Sequence, residues 1–296
     1  MLNLDQYQVF LEVARARSFS RAAAALFVTQ PAVSQAVKGL EERLGCKLFL
    51  RNARGVSLTE EGELLYREVS GAIHRLEEAE SHFAGLHTLT TGTLRIGASD
   101  TVCKYLLLPF LKDFHRQYPD VSIKVTNRTS SETVRLLREG QVDLGFVNTP
   151  TPIDESMDCE EVCEVQDGFV CTPELAKKLS RAVTYQELAN QPLLMLERLS
   201  STRRFWDRVF EQEGVTLKPQ IELGSLDLLL EFARIGLGIS AVTMPAAQEL
   251  ITEGKLVALK LKRPPSPRSI GVITSKRLPP SPCAKAFLTG IKKSFH

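Results

Sequence analysis

The residues best suited to chemistry in this 296-residue chain fall in one short run. Thr29-Gln30-Pro31-Ala32, then Ser34, Gln35 and Lys38, set amide, hydroxyl and ammonium groups at the start of a helical pattern. Gln can pair bidentately with adenine, Ser and Thr read either kind of base edge, and Ala or Pro can touch a thymine methyl. Ser20 and Arg21, opening the preceding helix, join this set of candidate DNA-binding residues. Arg51 and Arg54 lie in a short hairpin and suit phosphates or a narrow minor groove.

A second set lies further along. Ser99-Asp100-Thr101, Thr129-Ser130 and Ser200-Ser201-Thr202-Arg203 each follow a strand pattern and open a helical one. Free N–H groups at helix starts favour anions, and Asn148 ends another strand nearby in this scheme. Hydroxyls at such places also serve as ordinary N-caps. Together they predict a site for a small carboxylate or inorganic oxyanion. Asp100 would repel a full anion, and an amino-acid-like molecule satisfies both observations.

Other chemistries find little support. GxSxG, HExxH, GxxxxGK[ST] and a GxGxxG after a strand do not occur, and the five histidines are scattered. The chain therefore reads as no enzyme, with no cofactor and no metal. The competing reading is a redox switch. Cys159 and Cys163 are four apart and Cys171 is close behind. A disulfide would need Cα atoms within ~7 Å. Asp158, Glu160, Glu161 and Glu164 beside them should raise thiol pKa values and blunt reactivity. Reduced structural thiols are the plainer reading.

The elements that must position these groups follow from periodicity and charge. Residues 1–58 carry net +4, 59–91 net −5, 92–254 net −7 and 255–296 net +10. A basic N-terminal block beside an acidic one suggests a nucleic-acid module joined to something else. The basic C-terminal block reads as a solvated rim. In the first block, Leu4–Ala14 fits a helix, Ser18 or Ser20 caps Arg21–Leu26, and Phe27-Val28-Thr29 is a break. A third helix opens at Thr29 or Gln30, with Pro31 in its first turn, and Gly45 ends it. Helix, tight break and helix make a helix-turn-helix, whose second helix enters the major groove. From Thr59 a long helix carries Leu65, Val69, Ala72, Leu76, Ala79, Phe83 and Leu86 at alternating spacings of four and three. That heptad seam predicts a paired coiled coil over 59–91.

After residue 91 strands alternate with helices in two series, which predicts mainly parallel sheets covered on both faces. Among them are a helix over Leu106–Tyr118 and crossovers near Asp158–Val165 and Pro264–Pro267. The last strand and helix can return to the first lobe.

Thr29-Gln30-Pro31-Ala32-Val33-Ser34-Gln35, Leu40-Glu41, Leu44-Gly45, Leu48-Phe49, Arg51 and Leu58-Thr59-Glu60-Glu61-Gly62 resemble the winged helix-turn-helix of the LysR-type transcriptional regulators. Gly236-Leu237-Gly238-Ile239-Ser240 is similar to a segment of that family's effector domain. The resemblance implies an α+β multidomain plan: a winged helix-turn-helix (1–58), a coiled-coil linker helix (59–91), and a two-lobed α/β effector domain like a periplasmic binding protein (92–296). Lobe 1 would span 92–162 and 267–296, and lobe 2 would span 163–266. It implies double-stranded DNA as partner and a small-molecule co-inducer between the lobes. It implies a homodimer through 59–91 that assembles into a homotetramer, with RNA polymerase as a candidate contact.

Composition sets the outer limits. Apolar residues are 43% and charged residues 24%, with net charge +2. That excludes a disordered polyelectrolyte. No stretch approaches the ~20 apolar residues of a membrane span. Met1–Asp5 lacks a basic region followed by an apolar core, and six cysteines are too few for a disulfide framework. The expected location is cytoplasmic.

Overall fold

Capping and apolar spacing set the first elements. In the computed structural model, which describes residues 3–52, 55–84, 92–278 and 280–295, α1 is Leu4–Ala16 and starts under the Asn3 side chain. Helix α2 (Phe19–Ala25) starts at Ser18, whose hydroxyl accepts from Arg21 N at 3.3 Å. Helix α3 (Gln30–Leu44) carries Pro31 in its first turn and stops at Gly45, whose φ of 70° lies in the left-handed region that glycine adopts freely. Strands β1 (Phe49–Asn52) and β2 (Gly55–Leu58) pair antiparallel as the wing. Thr59 then caps α4 (Glu60–Ala84), its hydroxyl accepting from Gly62 N at 2.9 Å. A Cβ at Gly62 would stand 2.2 Å from the Leu48 carbonyl oxygen, so only glycine lets α4 start against the wing. Phe10, Val13, Ala22, Val33, Val37, Leu40, Leu48, Tyr66 and Ile73 form one buried core for α1 to α4.

This core takes up only the first part of the α4 heptad seam. Leu65 and Val69 are half-buried, Ala72 is exposed, and Leu76 is 46% exposed. Among the described residues of α4 the buried ones are Gly62, Tyr66, Ser70, Gly71 and Ile73, mostly on a neighbouring face. The side chains of Ala79 and Phe83, and the whole of Leu86, lie outside the described residues.

The chain divides into two compact units, and the second begins at β3. Strand β3 (Gly92–Ala98) leads into α5 (Asp100–Val102), which passes through a π turn (Cys103–Leu107) into α6 (Leu108–Gln117). The helix expected from Leu106 thus starts six residues earlier, because Ser99 caps it at Val102 N. Strand β4 (Val121–Asn127), α7 (Ser130–Arg138), β5 (Leu144–Asn148) and β6 (Met157–Val165) follow. The chain then enters a second lobe through β7 (Asp167–Cys171), α8 (Pro173–Ala176), α9 (Tyr185–Ala189), β8 (Leu193–Leu196) and α10 (Ser201–Gln212). Next come β9 (Ile221–Leu223), α11 (Leu226–Arg234), β10 (Ile239–Thr243), α12 (Met244–Thr252) and β11 (Val257–Ala258). Strand β12 (Arg268–Ser275) and α13 (Pro282–Phe295) return to the first lobe.

Each lobe holds a five-stranded sheet, ordered β4-β3-β5-β12-β6 and β11-β7-β10-β8-β9. The expectation of mainly parallel sheets needs correction. Pairings β3·β4, β3·β5, β8·β9 and β8·β10 are parallel. Those of β12 with β5 and β6, and of β7 with β10 and β11, are antiparallel. The two crossovers cause this, since each lobe receives strands that arrive from the other. The segment Asp158–Val165, near which a crossover was expected, lies wholly within strand β6, and the chain crosses just after it, at Gln166.

Candidate nucleic-acid and effector sites

Helices α2 and α3 place the first set of residues. Phe27 takes a left-handed φ of 55°, and Phe27 N and Val28 N bond back to Ala24 O and Ala23 O. That tight turn lets α3 pack Val33, Val37 and Leu40 inward. The opposite face then presents Thr29, Gln30, Pro31, Ala32, Gln35 and Lys38, all exposed, with Ser34 half-buried. Gln30 Nε2 donates to Ser34 Oγ at 3.3 Å, and Lys38 pairs with Glu42 at 3.6 Å. Ser20 and Arg21 are exposed at the start of α2. Arg51 is on β1 with its side chain outside the described residues, and Arg54 lies outside them altogether.

Two features of this unit were not read from the sequence. Phe27 is 96% exposed at the turn, although it is large and apolar. Glu41 is buried and ties α3 to the wing, accepting from Leu48 N at 2.9 Å and Lys47 Nζ at 2.7 Å. Burial opposes its ionisation, but the bonds from Lys47 and the Leu48 and Phe49 amides outweigh that and hold the carboxyl below its ordinary value.

The second set converges in three dimensions. A cavity of about 590 Å³ opens at the carboxyl ends of β3, β4, β5, β8 and β9. That is where ligands bind in open α/β sheets. Ser99, Asp100, Thr101, Thr129, Ser130 and Asn148 line it from lobe 1, and Ser200, Ser201 and Thr202 line it from lobe 2. The lobes touch there, with Ser201 Oγ 3.1 Å from Ser130 Oγ, and Ser130 Oγ also accepts from Asn148 N at 3.1 Å. Thr129 and Glu132 form a reciprocal cap, and the Thr129 hydroxyl at 2.8 Å lowers the Glu132 pKa. Glu197 and Arg128 also line the space and had not been anticipated.

Arg203 does not reach this cavity. It is 2% exposed, with Nε on Asp207 at 2.9 Å and Nη1 on Glu222 at 2.7 Å and on Leu196 O at 3.2 Å. Its place in the run suggested a ligand contact, but the helical turn of α10 directs it into lobe 2.

Beneath the cavity the two crossovers are pinned together. Arg268, on the returning strand, forms a buried ion pair with Asp167, on the outgoing one. Its Nη1 donates to Asn148 Oδ1 at 2.9 Å and its Nη2 to Thr202 Oγ1 at 3.3 Å. Thr243 Oγ1 supports Asp167 Oδ1 at 3.1 Å. Two cavity-lining residues thus hang on one guanidinium. On another side of the domain, Lys104 Nζ and Tyr105 Oη both bond Asp227 at 2.8 Å, again linking the lobes. The Lys104 ammonium holds the Asp227 carboxyl below its ordinary value.

Cysteine geometry bears on the competing reading. Cys159 and Cys163 lie on one strand, opposite Ile273 and Ile270. Four residues of strand at ~3.3 Å each separate their Cα atoms by about 13 Å, well beyond disulfide reach. Burial raises both thiols, and pushes Cys171, buried in lobe 2, to about 11. Among the described residues there is no cluster able to hold a metal, and no helix is long and apolar enough to cross a membrane.

Comparison with known proteins agrees with this plan. Residues 4–63 match the family described as "Bacterial regulatory helix-turn-helix protein, lysR family", and residues 87–295 match "LysR substrate binding domain". A probable RuBisCO transcriptional regulator of Synechocystis sp. is 30% identical, covering 99% of this chain and 86% of its own. The regulator CfxR of Cupriavidus necator is also 30% identical, covering 97% and 91%. A full-length OxyR variant from Pseudomonas aeruginosa superposes with a TM-score of 0.76 at 20% identity, over 99% of this chain and 95% of that one. The chain belongs to the LysR-type transcriptional regulators, and is a sequence-specific DNA-binding regulator.

Proposed function

We propose that this regulator reads operator DNA through Gln30, Pro31, Ser34, Gln35 and Lys38, with Thr29 and Ala32 beside them. Arg51, Arg54, Ser20 and Arg21 hold the DNA backbone or the minor groove. The exposed face of α3 supports this assignment. Two copies pair through the α4 seam, which the single chain leaves partly open at Ala72 and Leu76. Leu76→Asp should convert the dimer to monomer in sedimentation at micromolar concentration, and an unchanged mass would remove the seam from the interface.

The co-inducer is a small molecule bearing both a carboxylate and a protonated amine, held between the lobes. The charge of the cavity carries this reading. Hydroxyls and the N–H groups that open α7 and α10 suit a carboxylate. Asp100, Glu132 and Glu197 line the same space, against one cation, Arg128. A bare oxyanion would meet a surplus of negative charge, whereas an amine completes it. Thermal shifts of the full chain test this. Ligand at ~100 times its Kd adds ~2.7 kcal/mol to the stability of the state that binds it. Amino acids should raise the melting temperature, and Asp100→Asn with Glu197→Gln should weaken them. A preference for amine-free carboxylates, undiminished in that double variant, would overturn the reading.

A further inference from the structure

We propose that the C-terminal domain carries a second ligand site, for a small divalent oxyanion, at Arg204 and Arg208. It does not depend on the co-inducer reading above. Both arginines open onto a separate cavity of about 790 Å³. They stand one turn apart on α10, both are exposed, and like charges at that spacing repel.

Their surroundings leave most of that charge unanswered. Among the described residues neither arginine has a carboxylate partner. Arg204 Nη2 meets only hydroxyls, Ser201 Oγ at 3.3 Å and Ser131 Oγ at 3.5 Å. Asp207 also lines the cavity; Arg203 Nε holds it at 2.9 Å but is shared with Glu222, so Asp207 offsets part of the charge of the two arginines. The third guanidinium present, Arg268, is neutralised by Asp167. Arg208 also borders a neighbouring cavity that contains Glu161 and Glu213. There Glu213 pairs with Arg263 at 3.5 Å, and Glu161 accepts from Thr149 Oγ1 at 3.3 Å.

The space therefore has cations in excess on lobe 2, Arg204 and Arg208 against the shared Asp207, facing hydroxyls on lobe 1. That is the reverse of the first cavity, where carboxylates outnumber cations. Asn148 and Ser201 line both spaces and stand between them. A tetrahedral dianion would take charge-assisted bonds from both guanidinium groups. It would also reach the Ser131 hydroxyl across the lobe boundary. Such an ion would tie the lobes together from the side opposite the co-inducer, giving the domain two chemically distinct inputs.

The test is isothermal titration of inorganic phosphate into the full-length protein, with sodium chloride at matched ionic strength as the control. Wild type should show saturable binding beyond the chloride control. Arg204→Gln and Arg208→Gln should each weaken it, and the double variant should lose at least about tenfold in affinity, a ~1.4 kcal/mol change. These side chains are exposed, and circular dichroism checks that the variants fold. Thr129→Val, in the first cavity, should retain phosphate binding. No saturable binding in wild type would overturn the proposal. So would undiminished binding in the double variant, which would place the anion on the DNA-binding face or elsewhere. Loss in Thr129→Val with retention in the double variant would place it in the first cavity, and would overturn it equally.

Discussion

The exposed face of α3 and the cavity between the lobes both offer amides and hydroxyls to a partner, yet they are assembled in different ways. The first draws its groups from Thr29 to Lys38, within one continuous helix and its cap. The second draws on five strand ends scattered from Ser99 to Leu226. A helix face needs only its own turn and an apolar stripe underneath. The cavity needs two lobes, two crossovers and an ion pair that holds them in place. Damage to the scaffold should therefore reach the second site much further than the first.

Asp167→Ala should give the largest effect. It leaves Arg268 buried without a counter-charge, which costs about 3–5 kcal/mol. Trp206 is the single tryptophan and sits fully buried on α10, so its fluorescence reports unfolding of lobe 2. Its urea midpoint should drop sharply, while affinity for random DNA stays near wild type. An unchanged midpoint would mean that the crossovers are held by something else.

Glu41→Ala should act next, and only on the N-terminal unit. Leaving the Leu48 amide unsatisfied costs about 1–3 kcal/mol. Hydrogen exchange at Leu48 should quicken while the Trp206 transition stays put. The folded pKa of Glu41 lies below its ordinary value of 4.5, so its stabilisation is complete above that value. It is lost as pH falls through the lower folded value. Protection of the wing should therefore decline in that acid window in wild type and be flatter in the variant. A coupled fall in both transitions would break the contrast between the two regions.

Arg54→Ala should have the smallest effect. On the proposed backbone-holding role, losing its guanidinium should weaken specific and random DNA alike and reduce the salt slope by about one. An effect confined to one sequence would make Arg54 a base reader instead.

The same contrast explains what the sequence revealed. Helix α3 was legible from its start at Gln30, because the break before it and Pro31 in its first turn are local signals. Gly45 marked the end of α3 for the same reason. Thr129, Ser130, Ser200, Ser201 and Thr202 could be proposed as neighbours because strand ends in alternating folds share one edge of a sheet. Strand direction was not legible, because β12 pairs with β5 and β6 more than a hundred residues before it. Strand β6 was hidden by its acidic, exposed residues, which suit an edge and weaken the strand pattern. The orientation of Arg203 depended on Asp207 and Glu222, and only the fold brings Glu222 beside it.

The central claim is that sequence is read by the α3 face and that the wing only holds the duplex. Selection of binding sites from a random duplex library, with wild type and Gln35→Ala, tests it most directly. The account predicts a twofold-symmetric motif for wild type. Gln35→Ala should lose preference at one position in each half-site, at about 1–3 kcal/mol. An identical motif selected by both proteins would contradict it.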